Sequence, residues 1–353
     1  MSGFEGIIGH HNVVELLTVE ATNPTHAYLF VGPSSVGKAA VARRFAALLL
    51  CGDDAQCRRR VLADVHPDLM SVEPDGRTAL GVERARETVA RAVLTPVEAD
   101  HKVFLFEEAG AMNEEAANAL LKTLEEPTAS TIFILIAESE DDLPSTVSSR
   151  SRTILFGRVS EDEIVAALVE RGIADDQARR AAIAAGGRPG LALLLATRPE
   201  VAAFRTAWLS VPSRLTSQPG DAIRLAEAMV AAADPLLAGL AERQERELAS
   251  ADDEGRDVRV IKDRHERDRR RAAAALHLSG LEILATWYRD AAVASFGGPV
   301  RNRDVPGTDL AGIGARDAVA RARRVMLTTD SLEVNQRPEL AFSALFSELG
   351  ASA

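Results

Sequence analysis

Apolar residues in this chain follow two alternating patterns, short unbroken runs and positions spaced three or four apart, and the alternation predicts the architecture. Residues 28–31, 103–106, 131–137 and 153–156 are unbroken apolar or β-branched runs bounded by polar residues. Such runs suit strands buried on both faces of a parallel sheet. Residues 69–72 give a further strand, followed by a Pro74-Asp75-Gly76 turn. Between the runs the period is helical. Ala116, Leu120 and Leu124 recur every fourth residue with Leu121 beside them, Asn113 is placed to cap the helix, and Pro127 stops it. Helices are also predicted from Val13 to about Val19, directly after Lys38, and from about Val82 to Ala92. Strand and helix in this alternation predict a doubly wound parallel sheet, with ligands at the carboxyl ends of the strands.

Beyond Phe156 the strands stop. Ser160 precedes Glu161-Asp162-Glu163, Gly172 breaks the pattern, and Gly186-Gly187-Arg188-Pro189-Gly190 opens another helix. Residues 211–220, with their prolines and serines, read as a linker. The remainder is helical. Residues 242–271 form a mixed-charge run broken at 250–255, predicting two exposed helices around a mobile loop. Residues 278–291 and 331–349 read as packed helices.

A length of 353 residues calls for two or three domains, and 46% hydrophobic content is ample for their cores. The formal net charge of −11 excludes a protein that coats itself with nucleic acid, so any DNA contact is local. Arg267, Arg269, Arg270 and Arg271 are interleaved with Glu266 and Asp268 and read as a solvated face. No secretory signal or membrane-spanning apolar run is visible, so a cytoplasmic protein with no membrane partner is expected.

The chemistry concentrates at Gly32-Pro33-Ser34-Ser35-Val36-Gly37-Lys38. The spacing G-x-x-x-x-G-K between a strand and a helix is that of a phosphate-binding loop, whose backbone N–H groups and lysine cradle phosphates. The residue after the lysine normally supplies a hydroxyl to magnesium, and here it is Ala39. Glu107 and Glu108, at the end of the 103–106 strand, are candidates to hold a cation and polarise water, or form a solvated turn. Cys51 and Cys57 are the only cysteines. Structural zinc takes four ligands, so no zinc and two reduced thiols are expected.

Together with His66-Pro67-Asp68, the segment Asn118 to Pro127, and Leu143-Pro144-Ser145-Thr146 leading to Ser149-Arg150, these residues resemble the AAA+ clamp-loader family, in particular its delta-prime branch. The resemblance implies an α/β P-loop AAA+ domain over 1–157, a small helical lid over 158–210 and an all-α collar over 211–353. It implies that Arg150 acts as an arginine finger in a neighbour's ATP site. Gly32, Gly37, Lys38, Glu107 and Glu108 are then nucleotide-site positions, with Glu107 matching the magnesium-binding acid and Glu108 the water-activating one. The family commonly has a four-cysteine zinc module around Cys51 and Cys57, with His-Pro-Asp outside it. An arginine that senses the γ-phosphate aligns with Gly190, and Arg188 stands two residues early.

With Ala39 the site is expected to be degenerate, needing no cofactor although nucleotide binding stays open. The expected role is a non-hydrolysing subunit that helps load a sliding clamp on primer-template DNA during replication. Its partners would be the other loader subunits, delta and tau/gamma. The alternative is an active motor ATPase of the tau/gamma type. A small-molecule kinase is disfavoured by Ser149-Arg150 and the helical C-terminal half.

Overall fold

Strands buried on both faces dominate the first half of the chain, as the unbroken apolar runs require. The computed structural model describes residues 3–72, 80–253, 258–333 and 336–351. In chain order the elements are α1 (His11–Glu20), β1 (Ala27–Val31), α2 (Lys38–Cys51), α3 (Ala55–Leu62), β2 (Leu69–Ser71), α4 (Val82–Ala92), β3 (Lys102–Phe106), α5 (Glu114–Glu125), β4 (Thr131–Ala137), α6 (Ser145–Ser148) and β5 (Arg152–Leu155). The five strands form one parallel sheet in the order β2-β3-β4-β1-β5. Register is fixed at its centre by Tyr28, which faces Ile134 on β4 and Arg152 on β5.

Alternate residues of each strand feed separate cores. Tyr28, Phe30, Leu105 and Ile134 lie against α1 and α2 on one face, where Phe45 meets the Tyr28 ring edge-on at 4.9 Å. Leu29, Phe104, Phe106 and Phe133 lie against α4 and α5 on the other, and Phe104 stacks on Phe133 at 5.3 Å. The predicted cap of α5 forms, with the Asn113 side chain accepting from the Ala116 N–H at 2.8 Å. Ala116, Leu120 and Leu124 are buried. The Pro74-Asp75-Gly76 turn lies outside the described residues.

The rest of the chain is helical: α7 (Glu161–Glu170), α8 (Asp175–Ala185), α9 (Pro189–Thr197), α10 (Pro199–Leu209), α11 (Val211–Arg214), α12 (Pro219–Ala231), α13 (Asp234–Asp253), α14 (Val258–Ala294), α15 (Gly307–Leu310), α16 (Ala315–Glu333) and α17 (Pro338–Ala351). Ser160 and Glu163 form a reciprocal capping box at the start of α7. The stretch expected as a linker is mostly helical. Val211 is fully buried, and Pro212 and Pro219 stand in the first turns of α11 and α12, where a missing N–H costs nothing.

Two compact units emerge, Met1–Ala182 with Gly187–Ala192, and Ile183–Gly186 with Leu193–Ala353. The second unit has its own core around Trp208, which meets the Phe342 ring edge-on at 5.2 Å. Its 300–305 loop is tied down by the fully buried Asp290. This carboxylate accepts from the backbone N–H of Arg301 at 3.0 Å and of Asn302 at 2.7 Å. Arg205 adds paired bonds to the Asp304 carboxylate and one to Asn302. In the 242–271 run Arg270 pairs with Glu266 on the same helix face, and the side chains of Arg267 and Arg271 lie outside the described ones. No helix among the described residues is long and apolar enough to cross a membrane.

Candidate functional site

The phosphate loop joins β1 to α2 at the carboxyl end of the sheet. Gly32 has φ 154°, and a Cβ there would stand 2.2 Å from the Phe156 carbonyl oxygen, so the strand exit tolerates no side chain. Gly37, at φ 115°, turns the chain into α2. Lys38 is buried and folds back on its own loop, donating to the carbonyls of Gly32 and of Pro33, the latter at 2.8 Å. Burial holds its ammonium below the usual lysine pKa, against the opposing pull of Glu138 and Asp142.

Glu107 and Glu108 follow β3 on the same side of the sheet, Glu107 half-buried and Glu108 exposed. Glu107 is engaged: its Oε1 accepts from Arg43 Nε at 2.6 Å, and Arg43 also lies 3.8 Å from Asp64. Magnesium is the cation the resemblance implies, and the donor set does not fit it. Ala39 offers a methyl, and Glu107 is already neutralised by a guanidinium.

His10 and Gly190, one before the loop in sequence and one well after it, both close on it. His10 Nε2 is 2.8 Å from the Val36 carbonyl, and its ring packs edge-on to Phe156 at 5.0 Å. The Gly190 N–H donates to the Ser35 carbonyl at 3.1 Å, and a Cβ at Gly190 would also stand 3.1 Å from that oxygen. Position 190 therefore faces the phosphate loop, and glycine puts no cation there.

Arg150 stands apart from these groups at the exposed end of α6. Its Nη2 meets Glu125 Oε1 at 2.6 Å, and its Nη1 donates to the Thr146 carbonyl at 2.9 Å. Glu125 is thus the acid that Arg150 pairs with. Arg152 instead makes a contact within its own domain, 2.9 Å from Glu20. The same Glu20 accepts from Tyr28, whose phenol is pushed up to about 12, chiefly by burial.

Sequence reasoning missed Arg43, His10 and Glu125. Their contacts with Glu107, Val36 and Arg150 span 64, 26 and 25 residues, and no spacing rule reaches that far. It also misjudged the cysteines. Cys51 and Cys57 are bonded to each other, not separate reduced thiols, because the short turn after α2 sets their Cα atoms 5.6 Å apart. His66 does not stand away from them. Its ligating nitrogen and the two sulfurs all lie within 4.8 Å of one another.

Asp68 is what brings this corner together. It is fully buried, and its carboxylate accepts from the backbone N–H groups of Val97 at 2.6 Å, Glu98 at 2.8 Å and Ala99 at 3.0 Å. Burial alone would raise its pKa, but the three N–H donors together outweigh it and hold the carboxyl below its ordinary value. A depressed folded pKa means stability that is present above the unfolded value, about 3.9, and lost as pH falls through the folded one. Asp68→Ala should therefore destabilise the first unit by about 3 kcal/mol in urea unfolding at pH 7, with the deficit shrinking below about pH 4. A pH-independent deficit would contradict this reading of the carboxylate.

Residues 9–160 match the family described as "DNA polymerase III, delta subunit". DNA polymerase III subunit delta' of Pseudomonas aeruginosa is 40% identical over 134 residues, 35% of this chain and 41% of that protein. Its Bacillus subtilis counterpart is 33% identical over 178 residues, 47% of this chain and 53% of that protein. DNA polymerase III subunit gamma/tau of Mycobacterium tuberculosis is 33% identical over 208 residues, 53% of this chain and 35% of that protein. The chain spans about half the length, or less, of these curated relatives. Motif order, sheet order and these matches agree: over residues 9–160 the chain is similar to the DNA polymerase III clamp-loader family and is delta-prime-like.

Proposed function

We propose that this chain is a clamp-loader subunit that hydrolyses no ATP itself, offers Arg150 to the ATP site of a neighbouring ATPase subunit, and helps load a sliding clamp on primed DNA. Its partners are subunits of the delta and tau/gamma kinds, with clamp and primer-template DNA engaged through the complex. The observation that carries the non-hydrolysing half is the Arg43–Glu107 pair at 2.6 Å. Phosphoryl transfer needs a metal held by a hydroxyl next to the lysine and by a carboxylate at the strand end. Here the hydroxyl is absent at Ala39 and the carboxylate is bound to a guanidinium. The finger half is supported by the position of Arg150, exposed at the end of α6 and held by a surface ion pair and a bond to the Thr146 carbonyl.

An active motor of the tau/gamma type is the second reading, favoured by the retention of Lys38, Glu107 and Glu108 and by the gamma/tau match. The isolated chain separates the two. It should turn over ATP negligibly with magnesium, and Ala39→Thr alone should not restore turnover, because Arg43 still occupies Glu107. Metal-dependent hydrolysis at the rate of a competent loader ATPase, abolished by Lys38→Ala, would establish the motor instead.

A further inference from the structure

We propose that Cys51 and Cys57 are a reversible dithiol–disulfide pair, a modification site that staples the end of the phosphate-loop helix to α3 and exchanges with small thiols of the glutathione class. Cys51 is the last residue of α2 and Cys57 lies in the first turn of α3, bonded at a Cα separation of 5.6 Å. That separation is one a disulfide bridges without moving the backbone.

The turn between them is built independently of the bond. The Asp54 side chain caps α3 by accepting from the N–H groups of Gln56 and Cys57, and the Asp54 N–H donates to the Cys51 carbonyl at 3.0 Å. Arg58 donates to the Gly52 carbonyl and pairs with Asp53 at 2.9 Å. Opening the bond therefore leaves two thiols still held face to face, ready to close again.

Access and leaving-group chemistry are also present. Both cysteines are half-buried and line a cavity of about 300 Å³ together with Asp54, Arg60, His66 and Glu98. His66 Nδ1 accepts from the Asp68 N–H at 3.1 Å, which leaves Nε2 as the protonated nitrogen, 3.8 Å from Glu98 Oε2. Burial, ahead of the Arg60 charge, holds this imidazole below its usual pKa. That ring lies close to both sulfurs and, with Arg60 paired to Glu98 in the same cavity, favours a thiolate as it leaves. Cys, Cys and His supply three ligand atoms, one short of the four that a structural zinc takes, so thiol exchange is the chemistry this set is complete for.

Closure balances with glutathione disulfide as the oxidant. The Cys57 thiolate attacks one sulfur of glutathione disulfide, forming a mixed disulfide and releasing a glutathione thiolate. Cys51 loses its proton to solvent and attacks the Cys57 sulfur, expelling the second glutathione. Two S–H bonds are lost, one S–S bond forms, and one glutathione disulfide is reduced to two thiols.

The test is to equilibrate the full chain across a series of glutathione-to-glutathione-disulfide ratios, then count alkylated thiols by intact mass. The expected result is one two-electron transition from two alkylated thiols to none, without a stable adduct. The closed form should melt on the order of 5 °C above the open one. Cys51→Ser should abolish that difference and trap one glutathione on Cys57. Two alkylatable thiols at every ratio, a melting difference that survives Cys51→Ser, or one zinc per chain retained through the series would each overturn the proposal.

Discussion

Arg150→Ala should lower the clamp- and DNA-stimulated ATPase activity of a reconstituted loader by roughly 10³-fold, the scale of a finger supplied in trans, while this chain folds and assembles as before. A guanidinium works as a finger because its planar donors bridge phosphate oxygens and offset charge developing in the transition state. Arg150 must therefore be able to leave its resting partner. Its pair with Glu125 at 2.6 Å is exposed on both sides, and surface ion pairs are worth only about 0–1 kcal/mol, far less than a finger contributes. Two controls separate this from a structural role. Glu125→Ala removes the resting partner and should leave hydrolysis intact. Arg152→Ala breaks the contact with the largely buried Glu20 and should mainly lower stability. Unchanged hydrolysis in an assembled complex carrying Arg150→Ala would remove the finger assignment.

Trp208→Ala should destabilise the second unit by about 4 kcal/mol, close to a thousandfold in its folding equilibrium. Trp208 is fully buried, edge-on to Phe342 at 5.2 Å and within 6.4 Å of Phe346. Its indole packs against Gly280 on α14, where a Cβ would stand 2.0 Å from Cε2. Gly280→Ala should thus cost about 3 kcal/mol by overpacking, and Trp208→Phe in the same chain should recover part of that loss. Both tryptophans of the chain, Trp208 and Trp287, belong to this unit, so tryptophan fluorescence in a urea titration reports its unfolding selectively. Additive costs of Gly280→Ala and Trp208→Phe would contradict the contact.

Much of this was legible in the sequence because it is written in local patterns. Buried parallel strands are unbroken apolar runs, so β1, β3 and β4 fall within one residue of their predicted limits. The Asn113 cap and the Ser160–Glu163 box follow from short-range hydrogen bonding. The phosphate loop was legible for the same reason, with every position inside seven consecutive residues. Proline misled at residues 211–220, since it both breaks one helix and opens the next, and burial of Val211 decided for helix. What failed to appear was the pairing of side chains distant in sequence. Nothing near Arg43 announces that it will neutralise Glu107, and nothing near Cys57 announces His66. Ala39 suggested a disabled metal site from one missing hydroxyl, and Arg43 adds a second and independent reason.

Clamp loading on primed DNA tests the proposed role in a loader most directly. Delta-type and tau/gamma-type subunits from the same source would be mixed with clamp, ATP and primed template, with and without this chain. Clamp should reach DNA only when the chain is present, and equally when it carries Lys38→Ala, since its own site turns over no ATP. Loading of equal extent without the chain would contradict the account.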